Sequence, residues 1–364
     1  MLKLATVFSG IGAIEQAIKQ MKIPHRIVFA SDNGGRSLKL TYEEICKLLE
    51  GKTGKEKKAY IEELYNRTNQ LNSVKESYFA NYTIDSNNWH EDVRFIDGYT
   101  YLEKVDLFVG GSPCQSFSTY GKKMGFEDIR GTLFYEYARL VKEIKPKVFI
   151  FENVTGLLSH DKKKTWAIVQ EVFNELEYDF KHAVLDAKDY GLPQMRRRLF
   201  VVGIRKDLKY ATYEFPQAIK LNATAVDYLD TTVDNKYYLP EKGFKYVTDP
   251  IRHDGRARVN RNIIGCQTAN QQFNWTGDFR IETPRQEHKD DSRIYIGEYN
   301  GEPAIARKLT PNECLKLMGF EKFVIKENIT DEQIYRQVGN SIAVPVLKKI
   351  LLQLFKIIDF KENT

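Results

Sequence analysis

Four segments of the chain place reactive side chains at the ends of apolar runs. In GGSPCQSFS, residues 110–118, Cys114 follows the run VDLFVG inside a loop of small residues. A free thiol has a pKa of roughly 8.5, so it is a nucleophile near neutrality only where cations or helix amides favour the thiolate. Most unpaired cysteines are small buried hydrophobes. Here the loop is polar, Pro113 fixes the backbone before the sulfur, and the glycine-bounded GKKMGFEDIRG that follows is able to close over a substrate. The run KVFIFENV ends abruptly in Glu152 and Asn153. Burial at a strand end raises a carboxyl pKa, so Glu152 is either an acid holding a proton for a ring nitrogen or a structural carboxylate paired with a base. In QMRRRLFVVG, strand alternation puts Arg196 and Arg198 on one side and Arg197 on the other. Two guanidiniums aimed one way serve a carbonyl oxygen or pair with acids. In FSGIGAIEQAI, Gly10 and Gly12 let backbone approach a ligand at the start of a helix whose first amides are free. Asp32, about twenty residues on, ends the next apolar run, where a carboxylate can accept hydrogen bonds from ribose hydroxyls. Glu15 replaces the third glycine of the dinucleotide fingerprint, which disfavours a pyrophosphate and suggests an adenosine with fewer phosphates; ordinary tight turns explain each glycine equally.

These residues must be held by strands. KLATVFSG, RIVFAS, KVDLFVGG, KVFIFENV, FKHAVLDA and RRLFVVGIR read as strands, and stretches such as GTLFYEYARLVKEI between them have helical spacing. The pattern predicts an α/β fold with a largely parallel sheet and helices on both faces. Such sheets bind ligands at the carboxyl ends of their strands, where Cys114, Glu152 and Asp32 fall. Residues 42–76, charged and helical in period, read as a solvated helical insertion. From about 213 to 305 the alternation fails, and RHDGRARVNR packs Arg252, Arg256, Arg258 and Arg261 against one aspartate. That composition suits phosphate or base-edge contacts on a recognition surface, or surface ion pairs. KKILLQLFKIIDF returns to helical periodicity and is expected to pack on the first domain.

Composition narrows the class. With 364 residues, 42% hydrophobic and 12% aromatic, the chain can bury a large core in two domains. Its four cysteines are scattered, with neither a CxxC pair for zinc nor a disulfide framework, which fits a reducing, intracellular and cytoplasmic setting. Neither a signal peptide nor a membrane span is read at the N-terminus. A formal charge of +6 permits a nucleic-acid partner without requiring one.

The chain resembles the DNA (cytosine-5)-methyltransferases. FSGIG, Asp32, DVRFIDG, GGSPCQSFS, RGTLF, FENV, QMRRRLFVVG, RKLTPNECLKLMGF and QVGNSIAVPV occur in that family's order, with only 42–76 and 213–305 outside the match. The resemblance implies a Rossmann-like S-adenosylmethionine-dependent methyltransferase domain over 1–212, a smaller irregular target-recognition domain over 213–320, and a segment 321–364 returning to the catalytic domain. It implies S-adenosylmethionine over the strand ends, among Phe8, Gly10, Ile11, Gly12, Asp32, Asn33, Asp92, Val93, Pro113, Leu133, Asn340 and Ser341. It implies that Cys114 adds to carbon 6 of a flipped-out cytosine, Glu152 serves nitrogen 3, and Arg198, helped by Arg196, steadies the carbonyl oxygen. DNA is expected on Gln115, Ser116, Arg252, Arg256, Arg258 and Arg261. The implied partner is double-stranded DNA, with no metal and no membrane; a companion restriction endonuclease is compatible, and a monomer is the default. Departures concern the cofactor side: Thr6 and Ala13 replace a common aspartate and glycine, Asp32 replaces a glutamate, and Asn33 an aromatic.

Other readings remain open at this level. A thiol hydrolase would need a histidine base, and none of the six histidines is read as ending an apolar strand of the core. A DNA-binding module without transfer, and methylation of transfer RNA, are the alternatives within the same fold. Methylation of an exocyclic amine needs an Asp/Asn-Pro-Pro-aromatic tetrapeptide that the sequence lacks.

Overall fold

A computed structural model describes residues 1–113, 133–249 and 255–360; Cys114, Gln115, Ser116 and Arg252 lie outside the described residues. Seven strands form the main sheet: β1 (Leu2–Val7), β2 (His25–Ser31), β3 (Trp89–His90), β4 (Leu107–Gly110), β5 (Val148–Val154), β6 (Tyr178–Asp186) and β7 (Arg197–Arg205), in the order β3-β2-β1-β4-β5-β7-β6. The first five pair in parallel, and β7 runs antiparallel between β5 and β6. The expected α/β architecture is present.

Burial on both faces explains why these strands read as near-continuous apolar runs. Along β5, Val148 and Ile150 enter one core cluster, while Phe149 and Phe151 enter the other. Helices α1 (Ala13–Gln20) and α10 (Val344–Ile357) cover the first face, the latter through Leu347, Ile350, Leu351 and Leu354 at helical spacing. Helices α5 (Leu133–Ile144) and α6 (Lys164–Asn174) cover the second. The stretch Asp331–Ile357 is long and apolar enough to cross a membrane, but it is two helices, α9 (Asp331–Asn340) and α10, broken at Ser341 and lined by core residues.

Strand order reverses between β1 and β4, with Val7 opposite Gly110. The loops leaving these two strands therefore flank the crevice in which such sheets hold their ligands.

The 42–76 insertion forms α2 (Tyr42–Leu49), α3 (Gly54–Asn66) and the start of α4 (Ser73–Asn81). Thr41 with Glu44 and Thr53 with Glu56 make reciprocal caps that fix the first two helix starts. Its outer faces are solvated as expected, yet Ile45, Leu49, Ile61, Leu64 and Tyr65 form an inner core of their own.

A second sheet, ordered β10-β11-β9-β8, is built from β8 (Ala257–Val259), β9 (Gly277–Glu282), β10 (Gly297–Tyr299) and β11 (Glu302–Lys308). Asn300 and Gly301, both at positive φ, make the tight turn joining β10 to β11. Leu239, Phe244 and Val247, the last two on α7 (Glu241–Thr248), pack on Ala257, Phe279, Ala304 and Ala306. The two parts of the chain are packed together around the expected boundaries at 213 and 320. Tyr213 and Ala225 lie in the large core, as do Leu309, Cys314, Leu315 and Met318 around α8 (Pro311–Lys316), because Thr310 caps that helix with Glu313 directly after β11.

Candidate active site

Register brings the acid and one arginine together. Val154 of β5 pairs with Arg198 of β7, so Glu152, two residues back on the same face, is the diagonal neighbour of Arg198. Glu152 Oε1 lies 3.2 Å from Arg198 Nε. Burial pushes the Glu152 carboxyl up from its ordinary value, against the opposing pull of Arg198 and Arg196. The thiol loop leaves the sheet at the same point. A Cβ on Gly111 would lie 2.9 Å from both the Glu152 carbonyl oxygen and Oε2, so only glycine lets this backbone pass the carboxylate. Asn153 Nδ2 donates to the Ser112 carbonyl at 2.9 Å and ties the next residue to β5. Pro113 is the last described residue before Cys114.

Arg196 lies one residue before β7. It shares a side with Arg198, but its guanidinium is fully enclosed and donates to the carbonyls of Gln267 at 2.6 Å, Gly339 at 2.9 Å and Ser341. Its pKa is lowered to about 10, first by burial and then by Arg198. Arg196 is thus a brace joining β7, the segment after β8 and the end of α9, with its terminal nitrogens engaged by backbone. Sequence reasoning missed three neighbours. Cys266 Sγ lies 3.5 Å from Arg196 Nη1 and 3.6 Å from Arg198 Nη2. Gln194, wholly buried, donates to the Leu317 carbonyl at 2.9 Å and accepts from the Gln267 amide at 3.1 Å. No periodicity marks any of these.

Beyond β1 the chain turns sharply: Phe8 adopts φ 51°, unusual for a residue with a side chain, followed by Gly10 at 52° and Gly12 at 76°. Asp32 holds this turn, accepting from the Gly10 amide at 2.9 Å through Oδ2 and from the Gly34 amide at 2.8 Å through Oδ1. Desolvation raises its pKa, partly offset by those two amides. Each oxygen keeps a further lone pair for a hydroxyl donor. Val93 is buried, and Phe8 and Leu133 are partly buried against the same apolar cluster. Asp32 thus presents a carboxylate beside the turn that leaves β1. Asp92 is closely held: Arg94 grips both its oxygens and Tyr65 Oη donates to Oδ2 at 2.9 Å. Asn33 is engaged in its own turn, accepting from the Gly35 amide at 2.9 Å. Asn340 and Ser341 lie instead beside Arg196, and Ser77 of α4, donating to Gln337 at 2.9 Å, ties α9 toward the crevice.

The model of the family described as C-5 cytosine-specific DNA methylase matches residues 67–356. The chain belongs to this family. Type II methyltransferase M1.ScrFI of Lactococcus lactis subsp. cremoris is 36% identical over 273 residues, which is 74% of this chain and 67% of that protein. M.SsoII of Shigella sonnei is 36% identical over 307 residues, 81% of this chain and 77% of that one. Among solved structures, a mutant DNMT2 of Spodoptera frugiperda matches 98% of this chain and 100% of its own with a TM-score of 0.67 at 19% identity, a likeness of fold. The protein is accordingly a DNA (cytosine-5)-methyltransferase.

In this methyltransferase the arginines of the second sheet divide. Arg256 and Arg261 are exposed. Arg258 is paired with the Asp278 carboxylate at 2.8 Å and covers Gly265, so it braces β8 on β9. One histidine does end a strand of the main sheet: His90 closes β3. Its Nε2 lies 2.8 Å from Tyr101 Oη, and burial lowers its pKa to about 3, which keeps it neutral.

Proposed function

We propose that the enzyme transfers a methyl group from S-adenosylmethionine to carbon 5 of a cytosine flipped out of a short duplex sequence, through transient addition of the Cys114 thiolate to carbon 6. Residues 213–320, with Arg256 and Arg261 exposed, would read the DNA, and one monomer would surround one base. What carries the reading is the meeting of Glu152, Arg198 and the Gly111 turn at the ends of β4, β5 and β7.

The residues divide the chemistry. Cys114 Sγ forms a bond to carbon 6, and the ring electrons move toward nitrogen 3 and the carbonyl oxygen. Glu152, protonation of which is favoured by burial, gives nitrogen 3 a proton or a hydrogen bond. Arg198 stabilises the charge growing on the oxygen at carbon 2. Arg196 holds the pocket walls in place from behind. Phe8, Val93 and Leu133 would bound the adenine, Asp92 would lie at its edge, and Asp32 would accept from the ribose. S-adenosylmethionine, when bound, supplies a sulfonium methyl whose leaving group is a neutral thioether. Once carbon 5 has lost its proton to solvent, the sulfur of Cys114 departs with its bonding pair, nitrogen 3 returns any proton it took to Glu152, and the neutral aromatic ring is restored.

Incubation with methyl-labelled cofactor and random-sequence DNA, followed by mapping of methylated cytosines, tests the reading and reveals the target. Duplex DNA containing 5-fluorocytosine should form a stable adduct with the wild type and none with Cys114→Ser. Label in transfer RNA and not in DNA would move the substrate to RNA; an adduct persisting in Cys114→Ser would mean another nucleophile.

A further inference from the structure

We propose that the helical insertion is a working part of the cofactor site, with Tyr65 of α3 as a positioning residue that sets the Asp92 carboxylate at the adenine edge. This rests on the S-adenosylmethionine reading above and deepens it.

The insertion is tied to the crevice near its end. Gly34, ahead of it, has φ 66°, and a Cβ there would lie 2.3 Å from Asn72 Oδ1. Where it finishes, Asn72 Nδ2 donates to the Asp32 carbonyl at 2.9 Å. The segment is therefore closed on the residue proposed to hold the ribose. β3 is followed by two consecutive carboxylates, Glu91 and Asp92, both almost fully buried. Side by side in a poorly solvated place, two such charges require compensation. Glu91 receives Arg36, Asn72 at 2.9 Å and Lys75 at 2.9 Å, all from the insertion or its flanks. Asp92 receives Arg94 and the Tyr65 hydroxyl at 2.9 Å.

Tyr65 joins the two carboxylates into one assembly. It is 1% exposed, its ring lies 4.9 Å beneath the Arg36 guanidinium, and it packs among Ile45, Leu49, Ile61 and Leu64. Its hydroxyl is thus fixed by the insertion core on one side and points at Asp92 on the other. A tilt of α3 would turn the Asp92 carboxylate, and a ligand held by Asp92 would steady α3. The charged exterior of the insertion is a solvated surface; its inner face belongs to the pocket.

Tyr65→Phe removes one oxygen and leaves the packing. With the whole enzyme and S-adenosylhomocysteine as probe, isothermal titration should show roughly tenfold weaker binding, the equivalent of one hydrogen bond. KM for S-adenosylmethionine should rise by a similar factor while kcat stays within about twofold. The sharper reading comes from the 6-deamino analogue of S-adenosylhomocysteine: the wild type should prefer the amine, and Tyr65→Phe should bind both compounds alike. Lys57→Ala on the exposed face of α3 should leave both affinities unchanged. Independently, S-adenosylhomocysteine should slow amide exchange across residues 54–66 of the wild type. A wild type that binds no S-adenosylhomocysteine would defeat the cofactor reading itself. Binding by the wild type with equal affinity and undiminished preference for the amine in Tyr65→Phe, or with no protection of 54–66, would overturn this inference alone.

Discussion

Glu152→Gln keeps the shape of the side chain and one acceptor oxygen while removing the proton meant for nitrogen 3. General acid catalysis contributes roughly 10² to 10⁴-fold, equivalent to about 3–5 kcal/mol of barrier. Arg198, 3.2 Å away in the wild type, remains to stabilise the carbonyl oxygen, so the lower half of that range, about 10² to 10³-fold in single-turnover methyl transfer, is expected. Stability should move the other way. The Glu152 pKa is raised in the folded protein, and that net shift already contains the attraction of Arg198. A raised carboxyl pKa means that the native state binds the proton more tightly than the unfolded chain. The associated stability is complete below about pH 4.5, the ordinary glutamate range, and is lost as pH rises through the folded value. Glutamine, a permanently neutral mimic, escapes that loss. Melting curves should therefore coincide near pH 4.5, with the variant equal to or above the wild type at pH 8. A variant that melts well below the wild type at pH 8, or that keeps transfer within threefold, would refute the assignment of Glu152 as a buried proton donor.

Glu15 offers a second titration: it is wholly buried against Tyr78 and Thr6, and burial raises its pKa to about 7. Its contribution is present below about pH 4.5 and fades through pH 7, on the order of 3 kcal/mol, so urea unfolding at pH 5 and pH 8 should differ less in Glu15→Gln. Gly111→Ala drives a methyl to within 2.9 Å of Glu152 Oε2 and should cut methyl transfer more than tenfold with little change in circular dichroism. Arg307, 1% exposed between Glu282 and Glu313, should cost about 3–5 kcal/mol as Arg307→Ala, because two carboxylates lose their cation; guanidinium chloride unfolding measures it.

The sheet was legible because β1, β4, β5 and β7 are buried along most of their length and therefore read as near-continuous apolar runs. Glu152, Asp32 and the glycine turn could be placed at strand ends for the same reason. Alternation also put Arg196 beside Arg198, but a period of two gives direction and not reach, so the turn of Arg196 into backbone carbonyls was invisible. The pairing of Arg258 with Asp278 could not be read, because the partner lies twenty residues away on a neighbouring strand. Cys266, Gln194 and Gln267 act through single contacts made by irregular backbone, which leave no repeat to count. Composition changes at 213, but it does not reveal that Tyr213 packs in the large core, because burial follows three-dimensional neighbours.

The Arg196 guanidinium has a consequence for biosynthesis. It bridges residues 196, 267, 339 and 341, which emerge from a ribosome far apart in time. A nascent chain that has completed all seven strands of the main sheet still lacks the carbonyls that seat this cation, leaving it enclosed by nothing. Premature termination between residues 205 and 339 should therefore yield a chain that contains every strand of the main sheet and yet cannot seat this cation.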